Sequence, residues 1–513
     1  MKKVHFHMFE RIPAKAGRSR GKGMRKRQKI LRYTAGLVLA AGIVLSRGQE
    51  ACASSMPYDT YSYDWWTEDV LQPHAYLYTE SYAGNRFGSE LKTPQDMFFR
   101  DGFLYIADTG NNRVLILTEE GEYADEIAEG LSGPQGVFVT KEHHVYVADS
   151  GNGRVVEYDE DKNVIREIGR PETDLIDASQ NYMPTKVVVD DAGRIYVIAY
   201  GINMGLVEFN EYGEFQGFMG ATQVTVSPFE YMWKTYFSTD AQKQRMETII
   251  PTEYSNIFVD QSDFVYATIS NLSDEDHLNG ADAVRRLNPT GTDVLRRLGN
   301  YSIIGDLYSA SDEASWSSFT DIAATDYGCY FILDNAGGKV FCYDYDGNSL
   351  FIFGGMGSRS GLLRNPTSLV LNDDQSRLYI LDAQLGSILG FDITEYGANL
   401  LGAMKAHYTG NTEESDRLWR EVLRENANSE VAYIGMGKIS MREGDYQQAM
   451  DYFKLGNSRK YYTRAFEFYR KEMMQTSFAK YMGVAIFLIA AVLLVSAGKK
   501  IKRWVGEVKC RNI

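Results

Sequence analysis

Cysteine and proline are scarce in this 513-residue chain, with 4 and 11 occurrences. The cysteines are Cys52, Cys329, Cys342 and Cys510. Four cysteines at this spacing exclude a disulfide-built scaffold and a zinc ribbon. Cys329 and Cys342 flank a predicted hairpin turn, where they either form a disulfide across adjacent strands or stay two buried thiols. Tyr (35) and Phe (25) are abundant instead, which favours β structure.

Basic residues are concentrated at the two ends of the chain. Residues 1–48 carry thirteen Lys or Arg and one acid, and residues 499–513 carry six and one. The span 49–498 therefore holds 35 basic and 66 acidic residues, a net charge of −31. Such a surface repels nucleic acid and anionic lipid, which argues against a nucleic-acid partner and favours a neutral or cationic one. The acids also serve to keep an exported domain soluble.

Long apolar runs are rare, and the first one suits an export signal. Thirteen residues from Tyr33 to Leu45 follow a basic segment and are too few to span a membrane comfortably. Small residues at Ala51 and Ala53 predict a signal peptide of residues 1–53 that is cleaved after Ala53. An uncleaved N-terminal anchor is the alternative. An aromatic linker, residues 54–72, follows.

The second apolar run, residues 481–498, predicts a transmembrane helix. Lys499, Lys500, Lys502 and Arg503 follow at once and open a basic tail, residues 499–513. Because positive residues stay on the cytoplasmic side, the C-terminus is expected inside the cell. The sequence thus predicts a single-pass protein of the cell membrane, with residues 54–480 on the extracytoplasmic side.

An internal repeat with an offset of about 40 residues occupies the region 73–392. The two clearest copies contain Pro94-Gln95-Asp96-Met97 and Leu104-Tyr105-Ile106-Ala107-Asp108 through Arg113-Val114, and Pro134-Gln135-Gly136-Val137 and Val145-Tyr146-Val147-Ala148-Asp149 through Arg154-Val155. Weaker copies begin near residues 184, 257, 329 and 366. Each copy alternates short β-branched or aromatic runs with polar, Gly-rich turns, which predicts four strands per copy.

The pattern Pro-Xaa-Gly-Val followed by Val-Tyr-Val-Ala-Asp-Ser-Gly-Asn-Xaa-Arg-Val resembles the NHL repeat. Six copies imply a mainly β fold, a six-bladed NHL-type β-propeller. The segment Pro73–Tyr82 precedes the first copy and has the character of an orphan fourth strand, while the sixth copy lacks one after Phe391. We therefore expect the N-terminal segment to close blade six, which leaves no open edge. The repeated Asp108 and Asp149 are expected to cap turns or to pair with an Arg of a neighbouring blade.

Two interruptions of the repeat are candidate binding regions, because propeller loops carry function. The insertion 221–254 is rich in aromatic residues, and its expected contact residues are Tyr231, Trp233, Tyr236 and Phe237. It either covers the pore and binds a protein or carbohydrate, or merely packs on blade three. The second interruption, residues 301–319, contributes Trp316 as a candidate.

No catalytic motif is present in the predicted propeller: residues 73–392 contain no Gly-Xaa-Ser-Xaa-Gly, phosphate loop or CxxC pair. The resemblance leaves a metal-dependent hydrolase or lyase, similar to lactonases, as the alternative function. Lyases with this repeat use His ligands, but the predicted ring holds only His74, His143, His144 and His277. We expect no catalytic residue, no cofactor and no zinc site, while a calcium site among acidic pore residues stays open.

The hydrophobic period changes to that of helices after Asp392. A spacing of 34 residues relates Ala403 to Gly437, Gly410 to Gly444 and Trp419 to Phe453. This pattern resembles the tetratricopeptide repeat. The resemblance implies two helical repeats, 399–426 and 429–455, and a further helix at 460–474, within a helical region 399–474. A plain helical spacer is the alternative. Two repeats need a neighbour to bury their faces, so we expect them to contact the propeller or a partner.

The sequence as a whole predicts a membrane-anchored extracytoplasmic binding or scaffold protein. Both recognisable modules are better known for binding than for chemistry, and this part of the prediction rests on family analogy. Its partner is expected to be a protein or carbohydrate outside the membrane, as an accessory to surface transport or cell-wall assembly.

Overall fold

The computed structural model describes residues 56–84, 86–176, 180–202, 204–220, 254–270, 272–278, 281–310 and 313–511. This part of the chain contains 27 strands and a short helix α1 (Asp274–Leu278). The strands are β1 (Tyr61–Tyr63), β2 (Asp69–Leu71), β3 (Tyr76–Ala83), β4 (Asp96–Arg100), β5 (Phe103–Asp108), β6 (Arg113–Thr118), β7 (Tyr123–Ile127), β8 (Pro134–Val139), β9 (Val145–Asp149), β10 (Arg154–Tyr158), β11 (Val164–Ile168), β12 (Pro184–Val189), β13 (Ile195–Ala199), β14 (Leu206–Phe209), β15 (Phe215–Met219), β16 (Asn256–Val259), β17 (Val265–Thr268), β18 (Val284–Leu287), β19 (Leu307–Ala310), β20 (Glu313–Trp316), β21 (Phe319–Ala324), β22 (Tyr330–Asp334), β23 (Lys339–Tyr343), β24 (Ser349–Gly354), β25 (Pro366–Leu371), β26 (Arg377–Asp382) and β27 (Ser387–Ile393).

Most strands form antiparallel sheets of consecutive strands, which we call blades one to six. They are built from β4–β7, β8–β11, β12–β15, β16–β18, β21–β24 and β25–β27, and β19 and β20 form a separate hairpin. The first strand of each blade contacts the first strands of both adjacent blades, and blade six contacts blade one. Six sheets in a closed ring are a six-bladed β-propeller, as the repeat predicted.

Apolar side chains fill the spaces between adjacent blades. Tyr105 and Val114 of blade one belong to the same buried cluster as Val137 and Val147 of blade two. β-Branched and aromatic residues suit these positions because they pack well on a pleated surface. Complete burial of each such side chain contributes about 1.5–3 kcal/mol, so the repeated Val-Tyr-Val runs account for much of the ring's cohesion.

The ring is closed by a strand from before the first repeat. Strand β3 pairs antiparallel with β27, from Tyr76 opposite Ile393 to Ala83 opposite Ser387. Tyr76 and Tyr82 are fully buried at this seam. The prediction that the N-terminal segment completes blade six is therefore confirmed, and both chain segments that flank the repeats are held in one sheet.

The aromatic stretch before β3, predicted as a linker, packs on the ring. Strands β1 and β2 form a hairpin, and β1 adds to the outer strand of blade five, with Tyr61 opposite Ile352. The hydroxyls of Tyr61 and Tyr63 both donate to the Asp306 carboxylate, and Lys339 Nζ lies 2.8 Å from Asp306 Oδ2. The hairpin therefore covers an edge that would otherwise be open to pairing.

The repeated aspartates hold together the turns of their own blades. Asp149 Oδ1 accepts a hydrogen bond from the Ser132 N–H at 2.7 Å, and Oδ2 accepts from Arg154 Nε at 2.9 Å. Asp108 makes the equivalent bonds to the Lys92 N–H and to Arg113. Neither side chain caps the turn that follows it; each instead accepts from a backbone N–H in the segment that precedes its blade. The Arg partner, however, lies in the same blade rather than in a neighbouring one, because it opens the strand that pairs directly with the one ending in Asp.

Replacement of Asp149 by alanine should destabilise the protein by about 2 kcal/mol, because a buried acceptor is removed from three donors, the Ser132 N–H, Asn152 Nδ2 and Arg154 Nε. The Asp149 side chain is fully buried, whereas Arg154 keeps some contact with water, which limits the loss. Urea unfolding of the detergent-solubilised chain measures the effect. Asp161→Ala, at an exposed turn of the same blade, is the control and should change little. Equal unfolding free energies for the two variants would contradict the role of Asp149.

Cys329 and Cys342 are both free and fully buried, so of the two alternatives the structure shows the buried thiols. Burial raises the pKa of both thiols well above the ordinary value, with a smaller contribution from nearby Asp344. Thiols in this state are poor nucleophiles and have the character of small apolar side chains.

The chain after the propeller forms five helices. They are α2 (Glu395–Thr409), α3 (Thr412–Glu425), α4 (Glu430–Glu443), α5 (Tyr446–Leu455) and α6 (Arg459–Arg511). The first four begin at capping side chains, and α2 begins ahead of the predicted residue 399 because Thr394 accepts a hydrogen bond from the Gly397 N–H. Gly410 and Gly444 end α2 and α4 with positive φ.

Consecutive helices pack through the residues that the 34-residue spacing singled out. A Cβ atom added at Gly437 would lie 2.5 Å from the Phe453 ring, and one at Gly435 would lie 2.4 Å from Trp419. Both aromatic side chains are buried. Small residues therefore let the helices approach while Trp419 and Phe453 fill the groove, as predicted. The tetratricopeptide-like character itself stays a prediction.

The helical region is docked on the propeller at blade five. Asp346, in the turn between β23 and β24, pairs with Lys438 Nζ at 2.7 Å and with Arg296 Nη1 at 3.0 Å. The Tyr461 hydroxyl donates to the same carboxylate at 2.9 Å. Burial alone raises the pKa of Asp346, but Lys438 and these other partners outweigh it and lower the pKa to about 2. The expected contact between helices and propeller is thus a buried ionic one.

Helix α6 extends from this docked region into an apolar segment. Its beginning packs against α5 and buries Ala465. Within residues 459–506 an 18-residue window has a mean hydropathy of 2.3, and none of that window is buried inside the protein. By length and composition, α6 can cross a membrane.

Candidate functional site in the central channel

Equivalent positions of the six innermost strands bring polar groups together on the propeller axis. The third residue of each copy lies at this level: Asp96, Gly136, Lys186, Asn256, Asp321 and Ser368. Ser368 Oγ donates to Asp321 Oδ2 at 2.7 Å, and Asp96 Oδ2 accepts from the Val137 N–H of the next blade at 2.9 Å. Blades far apart in sequence therefore meet in one polar layer, which we call the channel ring.

Lys186 supplies the positive charge of the channel ring. Its Nζ contacts Asp96 Oδ1, and all three of Lys186, Asp96 and Asp321 are buried. Burial alone lowers the pKa of Lys186, but Asp96 and Asp321 outweigh it and raise the pKa above the ordinary lysine value. Lys186 is therefore protonated and lies between two carboxyl groups.

Asp321 is a weaker acid than an ordinary aspartate. Burial raises its pKa to about 6, and nearby Asp96 adds to this, while Lys186, Ser368 and the Leu369 N–H favour the carboxylate. The Leu369 N–H and Ser368 Oγ each lie 2.7 Å from Asp321 Oδ2. The channel ring thus gains or loses one proton in the mildly acidic range.

Stability should fall with rising pH through this carboxyl group. The pKa of Asp321 is about 6 in the folded chain and 3.8 ordinarily, so the folded state binds the proton more tightly. The contribution of protonated Asp321 to the free energy of unfolding is complete below about pH 4 and is lost by about pH 6. Between these values the free energy of unfolding falls by up to about 1.4 kcal/mol per pH unit. Asp321→Asn should remove this slope, as measured by urea unfolding between pH 4 and 7. Asp326→Asn, at an exposed turn, should retain it, and a slope unchanged in Asp321→Asn would contradict the assignment.

A cup of about 720 Å³ opens at one mouth of the channel. Its wall includes Phe98 and Phe138, whose ring centroids lie 4.8 Å apart, together with Phe258. Its rim consists of the turns after the innermost strands, and these contribute acidic side chains in five of six blades. They are Glu142, Asp191, Asp263, Asp326 and Asp373. The volume lies within the range of about 300–1,000 Å³ that is usual for small-molecule sites.

The other mouth is smaller and lacks an acidic rim. Its cavity of about 440 Å³ is lined by amide and hydroxyl side chains, including Gln95, Gln135 and Asn365. Lys186 lines both this cavity and the cup. The pair of Lys186 and Asp96 therefore forms the constriction between the two mouths.

A metal ion does not fit the channel ring. Throughout the described ranges there is no group of three or more His, Cys, Asp or Glu side chains that could hold one. Between the two channel aspartates, the positive charge already comes from the Lys186 ammonium group. A second cation at that point would repel it.

Most candidate binding residues from the sequence lie outside the described part of the chain. Tyr231, Trp233, Tyr236 and Phe237 fall within residues 221–253, so their role stays a prediction. Trp316 ends β20 and stacks on His277, with ring centroids 4.9 Å apart. It is half-buried there and is not among the residues that line the cup or the opposite mouth.

Sequence reasoning missed the channel ring although a signal was present. The third residue is Gly136 in the best repeat copy but Asp96, Lys186 and Asp321 in three others. A charged residue at a position where the repeat has a small, buried residue is a departure from the repeat that involves a single residue.

Comparisons with known proteins agree on the repeat and add neighbours of low identity. The NHL repeat family model matches residues 131–158. No curated protein matches the chain significantly. A streptogramin B lyase structure aligns at 10% identity and a TM-score of 0.40, covering 63% of this chain and 100% of that chain. A virginiamycin B lyase from Staphylococcus aureus aligns at 10% identity and a TM-score of 0.35, covering 62% of this chain and 82% of that chain.

A gluconolactonase from Xanthomonas campestris aligns at 12% identity and a TM-score of 0.37, covering 63% of this chain and 96% of that chain. The lyase and lactonase activities are those of the neighbours. The chain thus carries an NHL repeat at residues 131–158, and the six-bladed propeller is the fold around it.

Proposed function

We propose that the chain is a membrane-anchored binding or scaffold protein, whose propeller and helical region form one platform outside the membrane. The observation that carries the proposal is the continuity of α6. Tyr461 in its first turn contacts Asp346 of the propeller, whereas Ile486 and Leu494 further along are exposed. One end of this helix is fixed to a folded platform, and its apolar segment is exposed. Such a helix is suited to join the platform to a lipid bilayer.

The length and flanking charges of the apolar segment support this arrangement. Eighteen residues of helix extend about 27 Å, close to the hydrocarbon thickness of a bilayer of about 30 Å. The basic residues that follow, from Lys499 to Arg503, favour a cytoplasmic C-terminus. The propeller would then face outward, where the net negative charge of its surface does not meet the acidic cytoplasmic leaflet.

The acidic cup supports a binding role with a neutral or cationic partner. Of the five rim acids, Asp191 is paired with Lys141 at 2.5 Å and Asp326 with Lys405 at 3.9 Å. The rim as a whole has more acidic than basic side chains. Such a surface raises the association rate of a cationic partner and disfavours an anionic one. The channel ring below neutralises much of its own charge, which supports a structural role for the centre of the channel.

Protease digestion of intact cells tests the topology. A tag after Ile513 should stay protected, while external protease should remove the propeller epitope. Digestion of the tag together with protection of the propeller would overturn the proposal. Metal analysis of the purified chain addresses the alternative: one tightly held calcium or zinc ion per chain would favour a hydrolase or lyase over a binding protein.

The insertion is tested separately as the contact with a protein partner. The variant with Tyr231, Trp233, Tyr236 and Phe237 replaced by alanine should lose the partners that the native chain retains in pull-downs from membranes. Tyr212→Ala, which removes an exposed aromatic residue from blade three, is the matched control and should retain them. Unchanged partners in the fourfold variant would rule out these residues as the contact.

A further inference from the structure

A separate cavity lies where the N-terminal hairpin, blade five and the helical region meet. We call it the junction cleft, and its volume is about 380 Å³. The hairpin contributes Tyr63 and Asp64, and the connection between β18 and β19 contributes Asn300. The outer strand of blade five contributes Ser349, and the connection between α3 and α4 contributes residues 426–429. It is distinct from both mouths of the channel, and its volume falls within the usual range for small-molecule sites, about 300–1,000 Å³.

Carboxamide groups dominate the polar lining of the junction cleft. The cleft is lined by Asn300, Asn348, Asn426, Asn428 and Asn457. Each side-chain amide offers a donor and an acceptor without carrying charge. Among the described lining residues there is no Lys, Arg or His, so the cleft provides no counter-charge for an anion. The lining thus suits an uncharged ligand with many groups that both donate and accept hydrogen bonds.

Several of these polar groups have no partner within the described protein. Ser349 Oγ is buried without a hydrogen-bond partner. The exposed side chains of Asn300 and Asn428 make no hydrogen bond to the rest of the described chain. Asn457, by contrast, is bound to Glu430 Oε1 at 2.5 Å and helps to hold the wall of the cleft. An unpaired buried hydroxyl costs free energy, which a ligand hydroxyl can recover.

Aromatic rings lie beside these amides. Tyr63 and Tyr301 stack with ring centroids 4.1 Å apart at the wall of the cleft. Trp65 and Trp66 follow Asp64 at the tip of the hairpin and are 43% and 64% exposed. The Trp66 N–H donates to Asp64 Oδ1 at 2.8 Å, which orders the turn that carries both indoles. Exposed tryptophans present an apolar face with one polar edge.

We propose that the junction cleft binds a neutral saccharide. The ring hydroxyls of a sugar both donate and accept hydrogen bonds, as the free amides require, and its C–H face packs on an aromatic ring. An anionic ligand would meet Asp64 and Glu430 without a compensating cation. The proposal goes beyond the platform function and depends neither on the membrane anchor nor on the channel cup.

Calorimetric titration of the detergent-solubilised full chain with cellobiose, maltose and N,N′-diacetylchitobiose tests the proposal. At least one sugar should bind, and the double variant Asn300→Ala/Asn428→Ala should weaken its affinity at least tenfold. These side chains are exposed, so unfolding midpoints close to that of the native chain should verify that the variants fold.

Gln261→Ala is the matched control, because Gln261 is an exposed amide on the rim of the cup. Sugar affinity should be unchanged in this variant. Absence of binding to all three sugars, or affinity that is lost in Gln261→Ala but kept in the double variant, would overturn the assignment. Binding of a basic peptide at the cleft in place of any sugar would also overturn it. None of these results alters the outcome of the protease test of the membrane platform.

Discussion

Replacing Lys186 with methionine should destabilise the propeller by about 3–5 kcal/mol, because the change leaves the buried Asp96 and Asp321 without their shared cation. Methionine keeps most of the side-chain volume, so the loss is electrostatic rather than a cavity effect. The pKa of Asp321 should then rise further, since the positive charge that favours its ionised form is gone. Urea unfolding of the solubilised chain at pH 7 measures the free-energy change.

The triple variant Lys186→Met/Asp96→Asn/Asp321→Asn distinguishes a missing counter-charge from a general loss of packing. It should recover a large part of the lost free energy, because no uncompensated charge remains in the channel ring. Lys141→Met is the surface control, since its pair with Asp191 is half exposed and should contribute at most about 1 kcal/mol. A Lys186→Met chain as stable as the Lys141→Met chain would contradict the proposed role of the channel ring.

Replacing Lys438 with methionine should release the helical region from the propeller. Lys438, whose side chain is 19% exposed, lies 2.7 Å from the buried Asp346, and Asp344 is buried nearby. Burial raises the pKa of Asp344, while Lys438 works in the opposite direction. Removal of one partner of a buried pair costs about 3–5 kcal/mol. Limited proteolysis should therefore cut the connection after Asp392 faster, while the ring itself stays resistant.

Lys454→Met is the matched control, because Lys454 is an exposed lysine of the same helical region. Its proteolysis rate and unfolding midpoint should equal those of the native chain. If Lys438→Met were cut no faster than this control, the ionic contact would not be what holds the helices to blade five.

Much of the architecture follows from local patterns in the sequence. Val145-Tyr146-Val147 is β-branched or aromatic, turns follow it at Gly and Asn, and the same order recurs about 40 residues away, which fixes strand number and blade number. The position of the orphan strand Tyr76–Ala83 could be predicted because the sixth repeat copy lacks a fourth strand, and only that blade has an open edge. Helix packing around Trp419 and Phe453 followed from matching small and large residues at a fixed spacing.

Contacts across the ring could not be predicted in the same way. Asp96 and Lys186 are far apart in sequence and meet only because both lie at the same level of the axis. The hairpin of β1 and β2 consists of strands of three residues, too short for a recognisable alternation, and its place on blade five is fixed by Asp306 and Lys339. The junction cleft depends on three segments that no repeat relates to one another.

The closing seam also has a consequence for biosynthesis. Strand β3 leaves the ribosome about 300 residues before its partner β27, a delay of tens of seconds at about 5–20 residues per second. During that time the edges of β3 are exposed and every blade already made is part of an open arc. An arrest of translation anywhere before Ser387 leaves this segment unpaired and prone to intermolecular strand pairing. Completion of the ring is therefore a late event in the synthesis of the chain.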